Sequence, residues 1–130
     1  MLSLRKPGSP APQWRPQPVE ALFGQARRQM SSVERMYALI YAFRCTRHYI
    51  QLSFDCSRPP LAFDPEDFHD WAQQQTATTR QLAGFILQVW SGPNPRFELA
   101  RSVDVPRLLL ELSEADQIVF HQFVAYPFAC

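Results

Sequence analysis

The chain has 130 residues, 46% of them hydrophobic and 13% aromatic, and carries a formal net charge of +1. That is enough chain and apolar surface for one domain with a core, and it excludes a wholly disordered polypeptide. A near-neutral total gives no ground for a nucleic-acid or membrane-surface protein. The longest apolar run, Tyr37 to Phe43, falls far short of the ~18–20 residues that span a bilayer.

Residues 1–18 contain five of the twelve prolines and few apolar side chains. Proline removes a backbone donor and resists helix, so this segment reads as a flexible arm with Trp14 as its one large anchor. From Pro18, Val19, Leu22, Phe23 and Ala26 fall at helical spacing, with Gly24 weakening the pattern. "SSVERMYALIYAFRC" is stronger, because Ser31 and Glu34 form a capping box and Val33, Met36, Tyr37, Ile40 and Phe43 repeat on one face; a helix over Ser32 to Cys45 is expected. The next segment supports two readings. Ile50, Leu52, Phe54 and Cys56 alternate with polar residues as in a half-buried strand over 49–55, and the same residues also fit a continued helix. A strand there needs a partner, either residues 96–105 or a second copy of the chain.

In "AFDPEDFHDWA" the carboxylates and His69 invite a metal or acid–base reading, but position explains most of them. Asp64 is an N-cap, Pro65 takes the first helical position, and Glu66 and Asp67 lie where the helix dipole favours anions. Phe63 and Phe68 then form a hydrophobic staple, Trp71 and Ala72 continue the buried face, and His69 and Asp70 point away from it. "TATTRQLAGFILQVWSG" predicts the central helix, capped by Thr78, with Leu82, Phe85, Ile86, Val89 and Trp90 apolar and Gly92 as the stop. Gly84 inside it implies close approach of another backbone. Asp104 with Pro106 opens a short helix carrying Leu108, Leu109 and Leu112. Ser113 with Asp116 opens the last one, ended by Pro127, with Ile118, Val119, Phe123 and Tyr126 toward the core.

The cysteines, Cys45, Cys56 and Cys130, are odd in number with no C-x-x-C pair, and no secretory signal follows the start, so reduced thiols in a cytoplasm are expected. Cys45 and His48 form one C-x-x-H pair, where a structural zinc needs two such pairs. No nucleophile–base–orienter arrangement, glycine-rich phosphate loop or metalloprotease motif is present. If Cys45 ends a helix, the dipole raises its pKa and makes it a poor thiolate. No catalytic residue, cofactor, metal or small-molecule ligand is therefore assigned.

Charge is unevenly spread. Residues 1–50 hold eight basic against two acidic residues, and the remainder five against ten. The basic half, with Arg27, Arg28, Arg44 and Arg47, supports nucleic-acid binding as the alternative function. Protein association is better supported, by the aromatic content and by Tyr126 and Phe128 near the chain end, and an edge strand would add a route to a homodimer. From Leu82 to Phe128 the chain resembles the C-terminal part of small bacterial proteins without an established activity, at Val89, Trp90, Asp104, Ser113, Phe120, Pro127 and Phe128. That resemblance implies a bacterial, helical, cytoplasmic protein and assigns no site.

The expected molecule is mainly α: one bundle of four to six helices over 19–130 behind the arm, with the short strand as the open question. It acts through protein contacts, with Trp14, Arg27, Arg28, Arg44, Arg47, Tyr126 and Phe128 as candidate partner-binding residues.

Overall fold

A computed structural model describes residues 16, 19–24, 28–53, 60–92 and 96–128. Trp14, Arg27, Cys56 and Cys130 lie outside them. Among the described residues there are eight helices and no strand: α1 (Val19–Leu22), α2 (Ser32–Ala42), α3 (Arg44–Ser53), α4 (Pro65–Gln73), α5 (Ala77–Ser91), α6 (Glu98–Arg101), α7 (Val105–Glu111) and α8 (Glu114–Ala125). Two of these, α1 and α6, are single turns of four residues, so six longer helices make the bundle. No helix among the described residues is long and apolar enough to cross a membrane.

The local start signals act as their chemistry dictates. Ser31 Oγ accepts from Glu34 N, and Ser31 N donates to Glu34 Oε1, closing the capping box of α2. Asp64 Oδ1 accepts from the amides of Glu66 and Asp67 at 3.1 Å, Pro65 takes the first position of α4, and the Phe63 and Phe68 rings meet at 5.9 Å. Asp104 and Ser113 cap α7 and α8 in the same way. In α5 the cap is Thr76, two residues before the expected Thr78, because the Thr76 hydroxyl reaches Thr79 N while Thr78 Oγ1 turns to Glu111.

Residues 44–53 form a helix, which overturns the strand reading as far as it is described; residues 54–59 lie outside. Thr46, Tyr49 and Ile50 are buried, a spacing of three and four that belongs to one helical face. Over 50–53 the alternation of polar and apolar residues therefore does not mark a strand.

The expected helix through Cys45 is broken at Phe43, which is fully buried with extended backbone (φ −84°, ψ 132°) and serves α2 and α3 at once. A helix end leaves its last four carbonyls without partners. Here three of them are taken by α3 side chains: Thr46 Oγ1 donates to Ile40 O at 2.7 Å, Arg47 Nε to Tyr41 O at 2.8 Å and Arg47 Nη2 to Ala42 O at 3.5 Å. The new N-terminus is capped from far along the chain. Arg44 N donates to Asp116 Oδ1 at 2.8 Å and Cys45 N to Asp116 Oδ2 at 3.2 Å, with Asp116 buried on α8.

The central position expected for α5 holds. It packs against α2, α3, α4, α6 and α7, and Leu82, Ala83, Ile86 and Leu87 are fully buried. Gly84 explains how α6 comes so close: a Cβ there would lie 2.8 Å from the carbonyl carbon of Leu99 and 2.7 Å from Val103 Cγ2. Gly92 then ends α5 with φ +67°, and its N–H donates to Gln88 O at 2.8 Å.

Candidate functional site

Where α5 and α8 end side by side, the aromatic packing does not close. Pro127 stops α8 and turns Phe128 back, so that its ring lies 5.2 Å from Phe123 and 6.3 Å from Phe23. Phe85 on α5 meets Phe120 at 4.7 Å and Phe123 edge-on at 5.3 Å. Between these rings and the last turn of α5 lies an open groove of about 470 Å³, lined by Phe85, Gln88, Val89, Trp90, Ser91, Gly92, Phe123 and Phe128.

The polar side chains on its wall are already committed. Gln88 Nε2 donates to Ala100 O at 2.7 Å and Ser91 Oγ to Leu87 O at 2.8 Å. What the groove offers is apolar and aromatic surface. On α8 Ile118 is 54% exposed and Val124 62%, and the C-cap Tyr126 is 58% exposed. Ile118 and Tyr126 were expected to face the core. Val119 is buried as expected and Phe120 joins it, because the Asp116 cap on α3 fixes the rotation of α8 about its axis.

Of the candidate partner-binding residues, Phe128 lines this groove and Tyr126, two positions before it, is exposed. Arg28 and Arg44 are exposed elsewhere, ahead of α2 and at the start of α3. Arg47 is spent on the fold, its guanidinium hydrogen-bonded to the α2 carbonyls and lying 4.8 Å from the Tyr41 ring centroid. Phe85, Val89, Trp90 and Phe123 read in the sequence as ordinary core positions. Their helical spacing specifies a shared face but not whether anything covers it.

A second, polar cleft of about 330 Å³ lies beside α5, α6 and α7. Its groups serve one another. Gln81 Nε2 donates to Ser102 O and its Oε1 accepts from Asp104 N, both at 2.8 Å; Arg107 pairs with Glu111 at 2.9 Å; and Arg80 Nη1 donates to Gln75 O at 2.8 Å. This cleft is a seam between helices.

The titratable groups that invited chemistry have separate neighbours. His69 does not point away from the packed face: it is 13% exposed, lies 5.6 Å from the Phe97 ring, and its Nε2 accepts from Leu99 N at 3.3 Å. It thereby supplies α6 with the cap that Phe97 cannot provide. Cys45 sits at the start of α3, not at the end of a helix. Burial, followed by its hydrogen bond to the Asp116 carboxylate, pushes its thiol up to about 11, so the expected poor thiolate has a different cause. Tyr49 donates to Asp67 Oδ2 at 2.7 Å, and burial and that bond raise its pKa. His48 and His121 are exposed, and among the described residues no three His, Cys, Asp or Glu side chains converge as a metal site would require.

The chain matches no protein-family profile, no curated protein sequence and no solved structure.

Proposed function

We propose that this protein works through protein contacts, as a small cytoplasmic accessory or regulatory factor of a bacterial cell. The groove at the ends of α5 and α8, together with the outer side of α8, is its docking surface. The observation that supports this is the two-sided apolar character of α8. Val119, Phe120 and Phe123 pack inward while Ile118 and Val124 stand in solvent. A helix apolar on both sides gains by covering the second one.

The test is a photo-crosslinking side chain introduced at Val124 in the native cell, with the same side chain at the exposed Gln73 on α4 as control. A discrete protein adduct, to a partner or to a second copy, is expected from position 124 and not from 73. Failure to form any adduct from 124 would sink the reading.

The exposed Arg28 and Arg44 support the alternative, an arginine-dependent nucleic-acid binder, although Arg47 and Arg35 hold backbone carbonyls of their own chain. Binding to arbitrary DNA that weakens steeply with salt favours this alternative, and no binding at low salt removes it.

A further inference from the structure

The groove lies beside the point where the chain enters the domain. α1 begins at Val19, and one turn on the Phe23 ring lies 6.3 Å from Phe128 and 6.5 Å from Phe123. Pro16, three residues before α1, is already half-buried. The eighteen residues that lead into α1 are rich in proline and carry one aromatic side chain, Trp14.

We infer that this groove, with Phe85, Val89, Trp90, Phe123 and Phe128 as its apolar wall, is the docking site of the chain's own residues 1–18, with Trp14 seated in it. The inference rests on the docking reading above and names what occupies the surface when no partner does.

Reach allows it. Trp14 lies five positions before Val19, a span that an extended chain covers in roughly 17 Å, more than the single turn from Val19 to Phe23, whose ring meets the groove residues Phe123 and Phe128. The chemistry matches: proline-rich segments dock into aromatic-lined grooves because their extended backbone loses little entropy on binding, and an indole suits an apolar pocket of this size. A short tether holds the arm at an effective concentration on the order of mM, so even a weak contact is populated. A partner must then displace the arm, which makes residues 1–18 a built-in competitor.

The full chain labelled with 5-fluorotryptophan tests this, because Trp14, Trp71 and Trp90 give separate fluorine resonances. Trp90 lines the groove and Trp71 packs under α4, which makes Trp71 an internal control. Trp14→Phe assigns the Trp14 resonance. Its shift between H2O and D2O is expected to be less than half that of a free peptide of residues 1–18. Trp14→Ala is expected to move the Trp90 resonance and leave Trp71 in place, both effects being unchanged over a hundredfold range of protein concentration. Val89→Glu should restore the peptide-like shift of Trp14; Ser91→Arg, at the rim, replaces it if Val89→Glu fails to fold.

A peptide-like Trp14 in the unmodified chain together with an indifferent Trp90 overturns the inference, and concentration-dependent shifts overturn it in favour of exchange between copies. A solvated Trp14 beside a Val124 adduct defeats the arm alone, whereas a seated Trp14 without any adduct defeats the partner reading.

Discussion

Under α4, the rings of Phe63, Phe68, Trp71 and Tyr49 pack within 5.0–5.9 Å of a neighbour, and Phe68 is fully buried. At the end of α8, Phe85, Phe123 and Phe128 meet at similar separations, 5.2–5.3 Å, yet leave an open groove. Both clusters use the same residue type. The difference lies in what closes them. The first is roofed by a capped helix whose staple fixes its angle, and its two tyrosines find acceptors, Tyr49 on Asp67 and Tyr37 on the Ala62 carbonyl. The second is formed where two helices stop, and nothing among the described residues crosses its mouth. Aromatic content alone therefore marks neither a core nor a docking site; the helix terminations around it decide which it becomes.

The contrast is tested most strongly by truncating one ring in each cluster. Phe68→Ala is expected to destabilise the fold by about 3–5 kcal/mol, whereas Phe123→Ala, at a half-buried ring, should cost about 1–2 kcal/mol, as read from urea midpoints. Equal losses would mean that the groove is as closed as the α4 cluster.

Gly84→Ala tests the wall that α5 presents to α6. The added Cβ collides with backbone at Leu99, which cannot swing aside as a side chain would, so a loss of about 1–3 kcal/mol is expected despite alanine's better helix propensity. An unchanged melting temperature would show that α6 is loosely held.

Asp116→Ala removes the cap that sets the orientation of α8. It leaves two α3 amides without an acceptor and is expected to cost about 1–3 kcal/mol. The same change takes away the carboxylate that helps hold the Cys45 thiol protonated, so alkylation of Cys45 should accelerate at fixed pH in chains shown to be folded. In the native protein the folded-state pKa of Cys45 is raised, so its contribution to stability is present at neutral pH. That contribution declines as pH rises from about 9, its ordinary value, through about 11.

The smallest effect is at the start of α4. Asp64→Ala deletes an exposed cap and should cost ~1 kcal/mol, with the aromatic packing beneath intact by near-ultraviolet circular dichroism. Loss of the aromatic signal would make the cap, and not the rings, the element that closes this cluster.

Much of the fold was legible because helix initiation and termination are local. Ser31, Asp64, Asp104 and Ser113 cap from within three residues of their acceptor bonds, Gly92 needs only its own φ, and Gly84 announced a close backbone without saying which. The site was legible in part. Of the residues lining the groove, Phe128 stands out in the sequence because it follows the last helix beside a proline, whereas Phe85, Val89 and Trp90 look like any buried stripe.

By itself the sequence determined the helical class, most of the caps and the identity of the central helix, since these depend on interactions across three or four residues. Only the tertiary structure decided that α2 and α3 separate at Phe43, that His69 caps α6 and that Ile118 faces solvent. Each of these follows from a hydrogen bond between residues far apart in the chain: Asp116 to Arg44 across 72 positions, His69 to Leu99 across 30. Periodicity specifies which residues share a face, and only such long-range partners decide what that face meets.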